Sequence, residues 1–296
     1  FWDLSGIFVD RRRQVLLDEG AYAMARWGAE RAAARGVQLR SIRHYDADML
    51  EAFAGHATRR GLYPILLADG FCPACGRPAP IREFLEILRN AGGILVLDDT
   101  QALGVFGRGP TPIMPYGFGG GGMLPWSNLS GPDVITISSL AKGLGAPVAV
   151  VAGSESSIGR FEKDSETRVH CSPPSFADIH AAERALEINQ QQGDLLRIRL
   201  ARLVHYFRET MSQKHLWFSG GLFPIQTLIS PRAIDVVALF ERLVEMGIRS
   251  VPHRNRHDQR SSLSFVLTAR HTYDEIDVAA EALACSLADA RMQSSL

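Results

Sequence analysis

Cysteine is scarce in this 296-residue chain: Cys72, Cys75, Cys171 and Cys285 are too few for a disulfide-built scaffold and suit a reducing, cytoplasmic setting. Net charge is lacking as well, since Lys and Arg together number 32 and so do Asp and Glu. A nucleic-acid binder ordinarily carries a basic excess, so the balance argues against that class. No apolar run approaches the ~18 residues that suggest a membrane span, and no signal-peptide pattern is visible. No strand-like run leads at once into G-x-G-x-x-G and a helix, which sets aside a dinucleotide fingerprint. Cys72-Pro73-Ala74-Cys75 has no second C-x-x-C and no H-x-x-x-H beside it, so a four-ligand zinc site lacks its other half, and the surrounding pattern does not favour a redox motif. Lysine is rarest among the charged residues, with Lys142, Lys163 and Lys214 alone.

The chain is 46% hydrophobic and long enough for one large domain and a smaller one. Strand-like and helix-like segments alternate over its first two-thirds. Strands are expected over 14–17, 37–42, 64–68, 94–97, 134–138 and 147–152, with helices over 22–35, 46–57 and 81–90. This alternation implies an α/β domain with a mostly parallel sheet flanked by helices. Residues 107–130 interrupt it. They are rich in Gly and Pro, and they read as a long loop without a core. Helices over 174–192 and 194–213 follow, divided near Gly193. Beyond that, strands over 224–229 and 262–267 and helices around 236–244 and 272–287 form a small α+β domain. The expected division is a large domain over 1–212 and a small one over 213–296.

Two segments carry chemistry. Leu95-Val96-Leu97-Asp98-Asp99-Thr100-Gln101 ends an apolar run in a carboxylate, and Ile135-Thr136-Ile137-Ser138-Ser139-Leu140-Ala141-Lys142-Gly143 ends one in a lysine. Ligands of open α/β sheets gather beyond the carboxyl ends of the strands. Taken singly, Asp98 reads as a turn or helix cap and Lys142 as a solvated loop lysine. Together they are the two groups that pyridoxal 5'-phosphate requires: a carboxylate for the pyridinium nitrogen and a lysine for a Schiff base.

The pair also resembles a known pattern. The segment Leu97–Gly107 is similar to Val-Asp-Glu-Ala-His-Ser-x-Gly-x-x-Gly, and Ser139–Gly145 is similar to Thr-x-x-Lys-Ala-x-Gly, two motifs of the α-oxoamine synthase family of fold type I enzymes. Weaker matches stand in the same order: Asp18-Glu19-Gly20-Ala21-Tyr22-Ala23, Asp69-Gly70 to Ala79-Pro80, Pro173-Pro174 and Leu267-Thr268-Ala269-Arg270-His271. The resemblance implies a pyridoxal-phosphate-dependent, transferase-like fold and a reaction at the α-carbon of an amino acid, which condenses with an acyl thioester. Acyl-CoA or acyl-carrier protein would be the donor, and the protein would be a homodimer in which His170–Ser172 reaches across. It implies further that Asp98 pairs with the pyridine nitrogen, Lys142 is catalytic and holds the cofactor, Ser139 bonds its phosphate, Gln101 lies beside its 3-oxygen and Tyr22 stacks on its ring. No metal is expected. An aminotransferase and a catalytically impaired relative are the alternatives, and the retained Lys142 favours an active enzyme.

Departures from the pattern bear on substrate. Gln101 replaces a histidine and cannot serve as an acid or base near neutrality. Pro73 and Cys75 replace a Ser and an Asp, and His170 replaces a Thr. Ser264 stands where the family carries its substrate-carboxylate arginine, with Arg256 and Arg260 nearby as substitutes. The family's phosphate-binding Ser-Gly turn would precede Phe1, so an upstream segment on the order of 100 residues is expected.

Overall fold

The computed structural model describes residues 1–6, 11–229, 234–254 and 261–293; Arg256 and Arg260 lie outside them. Contacts divide the chain into two compact units. The first comprises Phe1–Cys72, Pro78–Thr111 and Tyr116–Asp194; the second comprises Pro73–Arg77, Pro112–Pro115 and Leu195–Leu296.

The chain passes through β1 (Arg13–Asp18), α1 (Ala23–Ala34), β2 (Gln38–Ile42), α2 (Ala47–Arg59), β3 (Tyr63–Asp69), the two-residue strands β4 (Phe71–Cys72) and β5 (Arg77–Pro78), α3 (Ile81–Asn90) and β6 (Ile94–Asp98). Then come the single turn α4 (Met123–Trp126), β7 (Val134–Ser139), β8 (Ala149–Ala152), α5 (Glu155–Asp164) and α6 (Glu166–His170). The main sheet has the order β2-β1-β3-β6-β7-β8. Its first five strands are parallel. Val15, Leu17, Ile65, Leu67, Leu95 and Leu97 are each at most 1% exposed, as are the residues between them. Such unbroken apolar runs suit strands covered on both faces. Helix α3 places Ile81, Phe84, Leu85 and Leu88 on one buried face, the spacing of an amphipathic helix.

Strand β8 is antiparallel to β7. The link from Ser139 to Ala149 is too short for the crossover of a dozen or more residues that a parallel partner requires. Lys142 therefore sits in a hairpin.

The Gly- and Pro-rich stretch departs from the expected coreless loop. Phe106, just before it, stacks on Phe71 and meets Tyr116 and Trp126 edge-on, at centroid distances of 5.2, 5.6 and 5.9 Å. Tyr116 and Met123 are buried, and bridges join Leu103 to Gly121 and Arg108 to Phe118. Isolated aromatics build a small core here, and no periodicity announces them.

Helix α7 (Phe176–Gln213) runs unbroken through Gly193, where two helices were expected, and the change of unit falls within it at Asp194–Leu195. One interior glycine costs a helix only about 1 kcal/mol, too little to end one of this length. The second unit then adds β9 (Trp217–Ser219), β10 (Ile225–Ile229), α8 (Val236–Glu245), β11 (Val251–Arg254), β12 (Ser261–Val266) and α9 (Tyr273–Gln293). Its sheet is antiparallel in the order β11-β12-β10-β9. Phe207, Phe218 and Phe265 pack at its core with Leu239, Leu243, Ile276 and Leu283. Strands β9 and β11 escape the sequence reading because one has three residues and the other carries Pro252, which suits an edge.

Candidate functional site

Strand order reverses beside β1, since the chain goes out to β2 and returns past β1 to β3. A crevice at the carboxyl ends is the usual consequence of such a switch. Polar side chains close those ends: Asp18 on β1, Asp69 on β3, Asp98 on β6 and Ser139 on β7.

Asp98 is 8% exposed, and its Oδ1 accepts the Thr100 N–H at 3.0 Å. The Thr100 hydroxyl oxygen accepts the Ser139 N–H at 3.0 Å. This chain of bonds ties the end of β6 to the end of β7, where the lysine hairpin begins. The Ser139 Oγ accepts the Ala141 N–H at 3.3 Å, shaping the turn just before Lys142. On the far side, Gly143 allows a close approach: a Cβ there would lie 2.3 Å from the Leu103 carbonyl oxygen. The segment after Asp98 thus packs on the turn that carries Lys142.

The Lys142 ammonium stands over the Tyr22 ring, 5.8 Å from its centroid. Tyr22 occupies the N-cap position of α1, and its N–H donates to Asp69 Oδ1 at 3.0 Å. Gln101 lies half-buried in the turn after β6. Lys142 and Tyr22 are therefore brought together, while Asp98 and Ser139 are linked through Thr100.

Three groups in this region escaped the sequence reading. Thr100 is one. The second is Asp18, fully buried, which accepts from Gly20 N–H, Tyr45 N–H and His44 Nδ1, each at 2.7 Å. The Tyr45 hydroxyl in turn donates to the Asp69 carbonyl at 3.0 Å, so this network braces the residue that holds Tyr22. The third is Asp99. Burial pushes its carboxyl up to about 7, against the Met123 N–H that bonds it and with the Asp98 charge adding to the rise. Both its oxygens accept from Met123 N–H, at 3.2 and 3.0 Å. A Cβ on Gly122 would lie 1.8 Å from this carboxylate and one on Gly70 would lie 2.7 Å away. The available signal was an acid directly after an apolar strand, which does not tell a site carboxylate from its buried neighbour.

The chain is 27% identical over 250 residues to an 8-amino-7-oxononanoate synthase of Alkalilimnicola ehrlichii, covering 82% of this chain and 59% of the relative. It is 30% identical over 254 residues to the one of Methylococcus capsulatus, covering 84% and 62%. It thus spans about three-fifths of the length of these relatives. Among solved structures, Sphingomonas wittichii serine palmitoyltransferase superposes with a TM-score of 0.80 at 13% identity, over 98% of this chain and 71% of that one. An 8-amino-7-oxononanoate synthase from Francisella tularensis gives 0.71 at 18% identity, over 97% and 80%. These likenesses give the fold as fold type I of the pyridoxal-phosphate-dependent transferases. The model of the family described as aminotransferase class I and II matches residues 4–283; the chain belongs to that family.

Proposed function

We propose that this chain holds pyridoxal 5'-phosphate and is the greater part of a transferase that joins an amino acid, at its α-carbon, to the acyl group of a thioester. The observation that carries the reading is the Lys142 ammonium over the Tyr22 ring, beside strand ends bonded through Asp98, Thr100 and Ser139. The residues fit the cofactor. Asp98 is nearly buried, with one oxygen tied to Thr100 and the other accepting no hydrogen bond among the described residues, as a carboxylate facing a protonated ring nitrogen would be. When bound, the cofactor supplies an electron sink for the substrate's α-carbon.

Each residue has a task in this reading. Asp98 holds the proton on the ring nitrogen. Lys142 would hold the cofactor through its amine and, once released, would carry a proton to or from the substrate's α-carbon. Ser139 offers its hydroxyl to the phosphate, Tyr22 covers one face of the ring, and the Gln101 amide donates beside the ring's 3-oxygen. The acyl donor is an acyl-CoA or an acyl-carrier protein, and the protein works as a cytoplasmic homodimer. The family description favours a second reading, amino-group exchange with a keto acid, on the same residues.

The test uses the full-length protein. Borohydride reduction after incubation with pyridoxal phosphate should leave a stable cofactor adduct on Lys142, located by peptide mass spectrometry, and Lys142→Ala should abolish it. An adduct on another lysine, or none, overturns the reading. With glycine, alanine or serine plus an acyl thioester, thiol release marks condensation, whereas keto-acid exchange marks transamination.

A further inference from the structure

Strands β6 and β7 are joined by a ladder whose bonds follow one pattern. In a parallel pair, a residue's N–H and its carbonyl bond to residues two apart on the neighbouring strand. Leu95 N–H donates to the Asp133 carbonyl at 2.9 Å, and Asp99 N–H donates to the Ile137 carbonyl at 2.8 Å. The next bond in the series would run from Ser139 N–H to the Asp99 carbonyl. That carbonyl is taken up in the turn after β6, where it accepts Ala102 N–H at 3.0 Å and Leu103 N–H at 2.9 Å.

A side chain supplies the bond instead. The Thr100 hydroxyl oxygen accepts Ser139 N–H at 3.0 Å, and Thr100 is 9% exposed. The donor is a backbone N–H, so the direction of the bond is fixed. The Thr100 N–H in turn donates to Asp98 Oδ1 at 3.0 Å. One residue therefore touches the carboxylate through its backbone and the start of the lysine hairpin through its side chain. Its β-branched side chain is restricted at χ1, so the two contacts keep a set relation. From Ser139 the path to Lys142 is short, since Ser139 Oγ accepts Ala141 N–H at 3.3 Å. The motif that Leu97–Gly107 resembles carries alanine where this chain has Thr100, and alanine has no oxygen with which to complete the ladder.

On the cofactor reading of Asp98 and Lys142, on which this rests, we propose that Thr100 is a positioning residue. Its hydroxyl completes the β6–β7 ladder and sets the turn that carries Lys142 against the Asp98 carboxylate. Thr100 acts through Ser139 N–H and need not touch the cofactor. Without the hydroxyl, Ser139 N–H loses its acceptor and the start of the hairpin is free to shift.

The experiment compares the full-length wild type with Thr100→Ser, Thr100→Ala and Thr100→Val. Exchange of the Ser139 amide hydrogen, followed by NMR without cofactor, reads the bond itself. Borohydride trapping across a range of pH, after incubation with pyridoxal phosphate, reads how readily Lys142 forms its adduct. Thr100→Ala and Thr100→Val should each speed Ser139 exchange by about tenfold, the worth of one hydrogen bond. Both should also move the midpoint of the Lys142 pH profile by about half a pH unit or more, and Thr100→Ser should restore both readouts. Alanine is smaller than threonine, so Thr100→Ala keeps the test available should Thr100→Val fail to fold. Unchanged Ser139 exchange in Thr100→Ala, a Lys142 profile that stays in place while exchange rises, or a Thr100→Ser protein that restores neither readout overturns the proposal. A wild type that itself forms no adduct on Lys142 overturns the cofactor reading, and the proposal falls with it.

Discussion

Asp98 and Asp99 are neighbours in sequence with opposite surroundings. Asp98 has one oxygen bonded to the Thr100 N–H and the other without a hydrogen bond among the described residues, whereas Asp99 is shut between Gly70 and Gly122 with the Met123 N–H as its donor. Burial raises the Asp99 carboxyl from 3.8 to about 7. Since the folded value lies above the unfolded one, its contribution to stability is full below the unfolded value and is lost as the pH rises through about 7. Wild type should therefore lose stability relative to Asp99→Asn between pH 4 and pH 7, with a gap on the order of 1–2 kcal/mol once the shift is discounted for relaxation around the charge. Urea unfolding of both proteins across that range checks this, and parallel curves would sink it. Asparagine can still accept the Met123 N–H, so the comparison isolates the charge.

At the level of elements, the aromatic cluster around Phe106 holds the Gly-rich stretch that packs over Asp99. Truncating a buried Phe ordinarily costs about 3–5 kcal/mol. Phe106→Ala should lower the denaturant midpoint accordingly and expose the Arg108–Phe118 bridge to proteolysis; a change under about 1 kcal/mol would show that the cluster carries no weight. The strand and helix alternation of the first unit was legible because buried parallel strands such as Ile65–Leu67 and Leu95–Leu97 are continuous apolar runs. Asp98, directly after such a run, and Lys142, a few residues after another, stand out from the sequence as candidates for the same reason. The Asp18–His44 pair does not, since its partners lie 26 residues apart and no local spacing marks them. The continuity of α7 was hidden by Gly193, a residue whose cost the rest of the helix outweighs. Strand β11 was hidden by Pro252, whose place at a sheet edge depends on strands far away in sequence.

For the whole molecule, the proposed homodimer can be tested at two exposed apolar side chains of the first unit. Val169 is 78% exposed and Phe176 is 92% exposed, on either side of His170–Ser172. In the proposed dimer a second copy of the chain would cover these two side chains. Sedimentation at micromolar concentration should find a dimer, and Phe176→Glu should shift it toward monomer without lowering the melting temperature by more than a few degrees, because so exposed a side chain supports no core. A monomeric wild type, or an unchanged dimer in the variant, would refute it. The lysine hairpin has one further consequence, which concerns the order in which the chain can close on itself. Ser139 meets Ala149 ten positions on, whereas Arg13 meets Tyr63 fifty positions on. Loop closure grows costlier with the logarithm of length, so the longer pairing carries about 1.4 kcal/mol more entropy loss than the shorter. The turn that carries Lys142 is thus among the cheapest tertiary features of the first unit to form, and the carboxylate it would work with is brought beside it only by long-range pairing.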